Sequence, residues 1–229
     1  ERLAFCPSRS GFSRLECIFP ARRTALASRP QLVLPSRRTG GTSGRPCQGE
    51  VTCIGSGGSA LPLKAYRRQT QMVFQDSYAS LNPRLTIEDS VAFGPQVHGL
   101  PRRDAVARAR NLLDRVGLAP ARFAERYPHE LSGGQRQRVN IARALALQPR
   151  MVILDEAVSA LDKSVEAQVL NLLTDLKAEF GLTYVFISHD LAVVRFISDE
   201  VLVMKDGQVV EQASAAQILA APQQDYTRR

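Results

Sequence analysis

A short apolar run that ends in two acidic residues limits the folds open to this chain. Met151–Leu154 contains four consecutive apolar residues, and Asp155 and Glu156 follow directly. A continuous apolar run is typical of a central strand in a parallel sheet, buried on both faces. Ligands of such sheets bind beyond the carboxyl ends of the strands. The run therefore predicts an α/β fold with two carboxylates at the ligand-binding edge, although an acidic pair after a strand also begins many surface loops.

The stretch Leu131–Gln135 (Leu-Ser-Gly-Gly-Gln) predicts a helix start. Ser132 is a favoured N-cap residue, and residues 135–147 carry apolar side chains on one face. The first N–H groups of a helix have no partner within it and point along the positive end of its dipole. Such a start is a binding site for phosphate. An ordinary capped helix after a glycine-rich turn is the alternative for these five residues alone.

Two further predicted strands also end in polar residues. Thr70–Phe74 runs into Gln75, and Thr183–Ile187 is followed by Ser188, His189 and Asp190. With the acidic pair, this makes three polar groups at the carboxyl ends of strands. Taken singly, a glutamine after a strand is usually a surface residue and a lone histidine is usually structural.

The remaining pattern predicts helices and one hairpin. Residues 86–127 are predicted to be helical, with arginines on a solvated face; a nucleic-acid-binding stripe is the alternative. Val165–Phe180 is an amphipathic helix that Gly181 ends. The other predicted elements are an edge strand at 49–52, a hairpin of 201–204 and 208–211 with an Asp-Gly turn, and a short helix at 214–221.

The positive charge of the chain is concentrated at its beginning. Residues 1–47 contain nine arginines, no lysine and two acidic residues, a net charge of +7 of the total +8. The rest of the chain carries +1, so its charge does not indicate a nucleic-acid-binding face. The four cysteines (Cys6, Cys17, Cys47 and Cys53) match no zinc-site spacing and favour a reducing, cytoplasmic compartment.

Together, four segments resemble the nucleotide-binding subunit of an ATP-binding cassette (ABC) transporter. They are Leu131–Gln135, Asp155 with Glu156, Ser159–Asp162 (Ser-Ala-Leu-Asp), and Gln75–Arg84. The last segment is similar to the oligopeptide/dipeptide importer group. The resemblance covers roughly residues 49–229. It implies an α/β fold with a P-loop NTPase-type parallel sheet core and an inserted α-helical subdomain, incomplete at the N-terminus.

The resemblance also implies roles for individual residues. Glu156 is the general base that polarises the attacking water, and His189 contacts the γ-phosphate and orients that base. Gln75 and Asp155 hold Mg²⁺, Asp155 through water. Leu131, Ser132, Gly133, Gly134 and Gln135 form the signature segment, which closes on ATP bound by another chain, and Asp162 belongs to a loop that links the two sites across a dimer.

The function implied by the resemblance is ATP hydrolysis that drives peptide import. The cofactors are ATP and Mg²⁺, and the partners are a second ABC ATPase subunit and transmembrane permease subunits, with no nucleic acid. The chain would then lie at the cytoplasmic face of the inner membrane, attached through the permease. Two alternatives stay open: an inactive or interaction-only remnant, and a soluble ABC ATPase of DNA repair or translation.

The sequence departs from the family pattern at one expected motif. The phosphate loop, of the form G-x-x-x-x-G-K-[ST], is absent, since none of the four lysines follows a glycine. Gly40–Pro46 and Gly55–Ser59 are glycine-rich and are interpreted as flexible loops. We therefore expect this chain to bind ATP weakly by itself.

The predicted domains are a leader at 1–48 and an ATPase domain at 49–229. Its core takes 49–75 and 148–213, and its helical subdomain takes about 76–147. For the Arg/Ser/Pro-rich leader, three interpretations remain: an organellar transit peptide, a disordered tail, or a non-native sequence produced by a frameshift or wrong start. The importer subunits continue beyond the position of Arg229, so the resemblance also implies a truncated C-terminus.

Overall fold

The computed structural model describes residues 31–33, 52–54 and 63–228, with side chains from Lys64 onward. The predicted leader, apart from 31–33, and both glycine-rich segments lie outside these residues. The chain divides into two compact units, Glu1–Arg67 with Met204–Val210, and Arg68–Val203 with Glu211–Arg229. In the first unit, β1 (Gln31–Val33) pairs antiparallel with β2 (Thr52–Ile54). Of the strand predicted at 49–52, only Thr52 lies in the described residues, and it begins β2.

The second unit is built on a parallel sheet of three described strands. Its order is β3 (Thr70–Val73), β4 (Met151–Asp155), β5 (Thr183–Ile187). These strands fall within one residue of their predicted bounds, because apolar and β-branched runs mark them in the sequence. Helix α1 (Leu63–Gln69) leads directly into β3 and was not predicted.

The burial of β4 corrects one prediction. Val152 and Leu154 are buried, but Met151 and Ile153 are only half-buried. Successive side chains of a strand point to opposite faces of the sheet. Val152 and Leu154 lie on the face that joins the main hydrophobic core, which also contains Leu173. Full burial on both faces is therefore wrong for the described sheet.

The helices between β3 and β4 form the predicted helical insertion. They are α2 (Ile87–Val97), α3 (Arg102–Arg115), α4 (Pro120–Phe123), a 3₁₀ turn (Pro128–Glu130) and α5 (Gly133–Leu145). Helices α2, α3 and α5 pack on one another, and α5 also packs on β3. Helix α5 ends two residues before the predicted position, since Gln148 has a φ of 51° and Pro149 cannot continue a helix.

The last part of the chain follows the predicted order. Helix α6 (Lys163–Phe180) ends at Gly181, which adopts the left-handed conformation (φ 61°, ψ 38°). Helix α7 (Leu191–Ile197) was not predicted; β6 (Glu200–Lys205) and β7 (Gln208–Ser214) then form the hairpin, followed by α8 (Ala215–Ala220). Asp206 and Gly207 both have positive φ, as an Asp-Gly hairpin turn requires. Among the described residues, no helix combines the length and apolar character that crossing a membrane requires.

Candidate functional site

The register of the parallel sheet brings the three polar strand ends to one edge. Val73 of β3 lies opposite Leu154 of β4, and Asp155 lies opposite Ile187 of β5. The residues that follow each strand, Gln75, Glu156 and His189, therefore leave the sheet side by side. Burial of the strand side chains fixes this register, because a one-residue slip would turn them to the opposite face.

Glu156 lies at the centre of this group. One carboxylate oxygen, Oε2, accepts a hydrogen bond of 2.7 Å from Gln75 Nε2. The other oxygen, Oε1, is 3.3 Å from His189 Nδ1. The backbone N–H of Glu156 donates to the carbonyl of Ile187 at 3.0 Å. Residues from three strand ends thus hold one carboxylate, and the contacts with Gln75 and His189 bridge sequence separations of 81 and 33 residues.

The backbone of Glu156 is strained. Its φ of 45° lies in the left-handed region, which costs a residue with a side chain about 1 kcal/mol or more. Such conformations persist where the surroundings determine them, and they cluster at active sites. The Glu156 side chain is 24% exposed and that of His189 is 71% exposed, so the group opens to solvent on the histidine side.

Ser159 is a further member that sequence analysis missed. Its hydroxyl donates to the Glu156 carbonyl oxygen at 3.0 Å and lies 3.4 Å from both Glu156 Oε2 and Gln75 Nε2. Within the segment Ser159–Asp162, the resemblance implies a role for Asp162 alone. A serine three residues after Glu156 was the available signal, because serine hydroxyls commonly bond backbone groups two to four residues away.

Asp155 ends β4 beside Glu156. Desolvation first, and then the charge of Glu156, raise the pKa of the Asp155 carboxyl above its ordinary value. Within the described residues, Asp155 has no ion pair and Gln75 Oε1 receives no hydrogen bond. Both groups therefore offer oxygen, the ligand atom that Mg²⁺ prefers.

The described residues contain no group of three or more His, Cys, Asp or Glu side chains that could hold a metal ion. Asp155 and Gln75 could supply one or two oxygens to Mg²⁺, with water and substrate phosphate completing its coordination.

We predict that Asp155→Asn stabilises the protein at neutral pH. A carboxyl whose folded-state pKa is raised destabilises the fold when ionised, and this cost disappears as the pH falls through that pKa. Asp155→Asn should therefore raise Tm by a few degrees at pH 7, with a smaller gain near pH 4. Thermal unfolding at both pH values measures this, with the exposed Asp175→Asn as control; an equal Tm for wild type and Asp155→Asn at pH 7 would contradict it.

The signature segment forms a capping box at the start of α5. The Ser132 hydroxyl accepts from the Gln135 N–H at 3.3 Å, and Gln135 Oε1 accepts from the Ser132 N–H at 2.9 Å. Leu131 is buried, with 4% exposure. The predicted N-cap is confirmed. The Gln135 N–H and the Gln135 side-chain oxygen are both hydrogen-bonded to Ser132 of the same chain. Within the part of the chain that the structure describes, the N–H groups of this helix start that have no partner are those of Gly133 and Gly134.

Asp162 has a structural role that was not predicted. It is the N-cap of α6, and its Oδ2 accepts from the Val165 N–H at 3.3 Å. Lys163 contacts Asp190 at 2.9 Å, and Asp190 in turn caps α7 through the Ala192 N–H. The start of α6 is thereby connected to the loop that carries His189.

Helix α5 also holds the loop that follows Gln75. Asn140, which is 1% exposed, donates through Nδ2 to the Ser77 carbonyl at 3.0 Å, and Arg143 donates to the Ser80 carbonyl. The Arg136 guanidinium lies 5.4 Å from the centre of the Tyr78 ring. In the described residues, no hydrogen bond joins Leu131–Gln135 to Glu156. The signature segment is instead connected to the Glu156 site through α5 and the loop that follows Gln75.

The chain is similar to proteins of one family. The sequence profile of the ABC transporter family matches residues 42–159. Glutathione import ATP-binding protein GsiA of Shigella flexneri is 58% identical over 168 residues, which cover 73% of this chain and 27% of that protein. GsiA of Escherichia coli K12 is 57% identical over the same length and coverage. The chain therefore spans about a quarter of the length of these curated relatives.

A solved structure also matches. CbiO1 from Clostridium perfringens, described as part of the ABC transporter complex cbiONQ, is 32% identical, with a TM-score of 0.63. The match covers 69% of this chain and 62% of that one. The predicted α/β ABC ATPase fold is confirmed by this likeness.

Proposed function

Because this chain belongs to the ABC transporter family, we propose that it provides the hydrolytic groups of an ATP-driven importer. The observation that carries the proposal is the Glu156 carboxylate held between Gln75 and His189 at the carboxyl edge of a parallel sheet. An oriented carboxylate at such an edge is suited to accept a proton from an attacking water.

Each side chain of the group has a separate task in this proposal. Glu156 polarises the water, Gln75 fixes one carboxylate oxygen, and His189 fixes the other while its exposed ring faces the γ-phosphate. Asp155 and Gln75 offer oxygen to Mg²⁺, which, when bound, neutralises the charge of the phosphate oxygens. Ser159 holds the strained Glu156 backbone in place.

The signature segment is proposed to act on nucleotide bound by a second cassette. The Gly133 and Gly134 N–H groups point out of a capped helix start, where a phosphate is favoured. Ser132 and Gln135 keep that start in shape, and buried Leu131 anchors it. Asp162 lies one residue before α6 and is proposed to face the same partner across the dimer.

A peptide is the proposed solute. The curated relatives are named as glutathione import proteins, and glutathione is a tripeptide. CbiO1 is described as part of an ABC transporter complex. We propose that this chain also acts in a complex, with separate permease subunits. We place the chain at the cytoplasmic face of the membrane, attached through that permease.

A segment exchange tests this proposal. We expect E. coli GsiA to keep glutathione uptake within a few-fold of normal when this chain's 168 aligned residues replace its own. The same exchange carrying Glu156→Gln is the control and should reduce uptake to the level of cells without GsiA. Loss of uptake by a stable, membrane-bound exchange protein would contradict the proposal.

A second candidate function rests on the amino-acid sequence. The 229 residues contain no Gly-Lys-Ser/Thr. A chain of this kind donates its signature segment to a partner and does not hold ATP itself. The two candidates differ in ATP affinity.

A further inference from the structure

The two adjacent signature glycines have different surroundings. A Cβ atom built on Gly134 would lie 2.4 Å from Val165 Cγ1, closer than real Cβ contacts. A Cβ atom built on Gly133 would lie 3.9 Å from Leu161 Cδ2, an ordinary van der Waals contact. The structure therefore leaves room for a methyl group at 133 and none at 134.

Val165 has little freedom to move away. It lies in the first turn of α6 and packs partly buried against the hydrophobic core. A β-branched side chain in a helix strongly prefers a single χ1 rotamer. A methyl group at 134 would therefore displace the Val165 backbone or the start of α5, since rotation of the side chain is restricted.

Displacement of Val165 would reach Asp162 directly. The Val165 N–H donates to the Asp162 carboxylate, which forms the N-cap of α6. Gly134 belongs to the capped start of α5. One contact thus connects the signature helix start to Asp162, the residue that caps α6.

We propose that Gly134 and Val165 form a positioning contact that fixes the start of α5 against the start of α6. Glycine is then required at 134 because of packing within the chain. An approach of the Gly134 N–H group to a phosphate would be a second, separate reason. The meaning of this contact for hydrolysis rests on the proposed function, in which both helix starts face a second cassette.

A double-mutant cycle on the full 229-residue chain tests the contact. Gly134→Ala should lower Tm by about 5 °C, the usual effect of overpacking in a chain of this size. Val165→Ala should lower Tm by a few degrees through lost packing, but it removes the Cγ1 methyl group that blocks position 134. Adding Gly134→Ala to Val165→Ala should then cost no further Tm, and Gly133→Ala, the matched control, should leave Tm within about 2 °C of wild type.

Hydrogen exchange provides the positional readout. Gly134→Ala should speed exchange of the Val165 amide, in the segment 162–168, and the double variant should return that rate to the value of Val165→Ala alone. Equal effects of Gly134→Ala on Tm in both backgrounds, or no effect in the wild-type background, would overturn the proposal. So would unchanged exchange of 162–168. Neither measurement uses ATP, so failure of the proposed function is seen separately, in the uptake assay.

Discussion

Glu156→Gln is expected to lower the rate of ATP hydrolysis about 100-fold or more, because a general base contributes roughly 10²–10⁴-fold to a rate. The measurement requires a chain that holds ATP. Residues 1–48 are therefore replaced by a Gly-x-x-x-x-Gly-Lys-Thr segment from an active ABC ATPase, giving the loop-restored chain. Glutamine keeps an oxygen that can accept from Gln75, so MgATP binding should change little.

Two controls separate catalysis from folding in this experiment. Glu125→Gln changes an exposed glutamate outside the site and should leave the rate unchanged. Ser159→Ala removes a hydroxyl that bonds the Glu156 backbone and should give a smaller loss than Glu156→Gln. Steady-state hydrolysis and equilibrium MgATP binding are measured for each variant. Normal turnover by Glu156→Gln would remove Glu156 from the role of base.

The 229-residue chain is expected to bind ATP with a Kd of about 1 mM or weaker. A phosphate loop supplies a lysine and a cradle of backbone N–H groups, and this sequence has no Gly-Lys-Ser/Thr. The loop-restored chain should bind at micromolar Kd, a difference of roughly 4 kcal/mol in binding free energy. Calorimetric titration of both chains with MgATP makes the comparison.

The outcome decides between the two candidate functions for the chain as it stands. Millimolar or weaker binding supports a signature donor that depends on a partner's nucleotide. Micromolar binding by the unaltered chain would show that residues outside the described ranges hold phosphate, and the donor interpretation would then be wrong. The control for the introduced segment is a loop-restored chain in which alanine replaces the lysine of Gly-x-x-x-x-Gly-Lys-Thr.

The ends of these strands could be predicted because short apolar runs clearly indicate buried strands. Met151–Leu154 and Thr183–Ile187 are uninterrupted, and parallel strands place their carboxyl ends along one edge. Asp155, Glu156 and His189 were therefore predicted to lie at the candidate site. The 2.7 Å hydrogen bond between Gln75 and Glu156 could not be predicted in this way, because the two residues are 81 positions apart and their contact depends on how the helical insertion between them folds.

Other features have weak or no signals in a single sequence. The hydrogen bonds from Asn140 and Arg143 to the loop after Gln75 depend on the positions of backbone carbonyls, which residue types do not specify. The tight approach of Gly134 to Val165 depends on how α5 crosses α6. Half-burial of Met151 and Ile153 was missed for a related reason, because an apolar side chain does not reveal what covers it.

If this chain's signature segment acts on nucleotide held by a second chain, two chains with different defects should complement each other. The direct test mixes the 229-residue chain with a loop-restored chain carrying Ser132→Arg, after confirming that both are folded by thermal unfolding. Each alone should hydrolyse little ATP, one for lack of a phosphate loop and the other for lack of a working signature. The mixture should hydrolyse ATP well above the sum of the two, and Ser132→Arg in the 229-residue chain should remove this gain. A mixture no more active than the sum of its parts would show that the signature segment does not act on nucleotide held by the other chain.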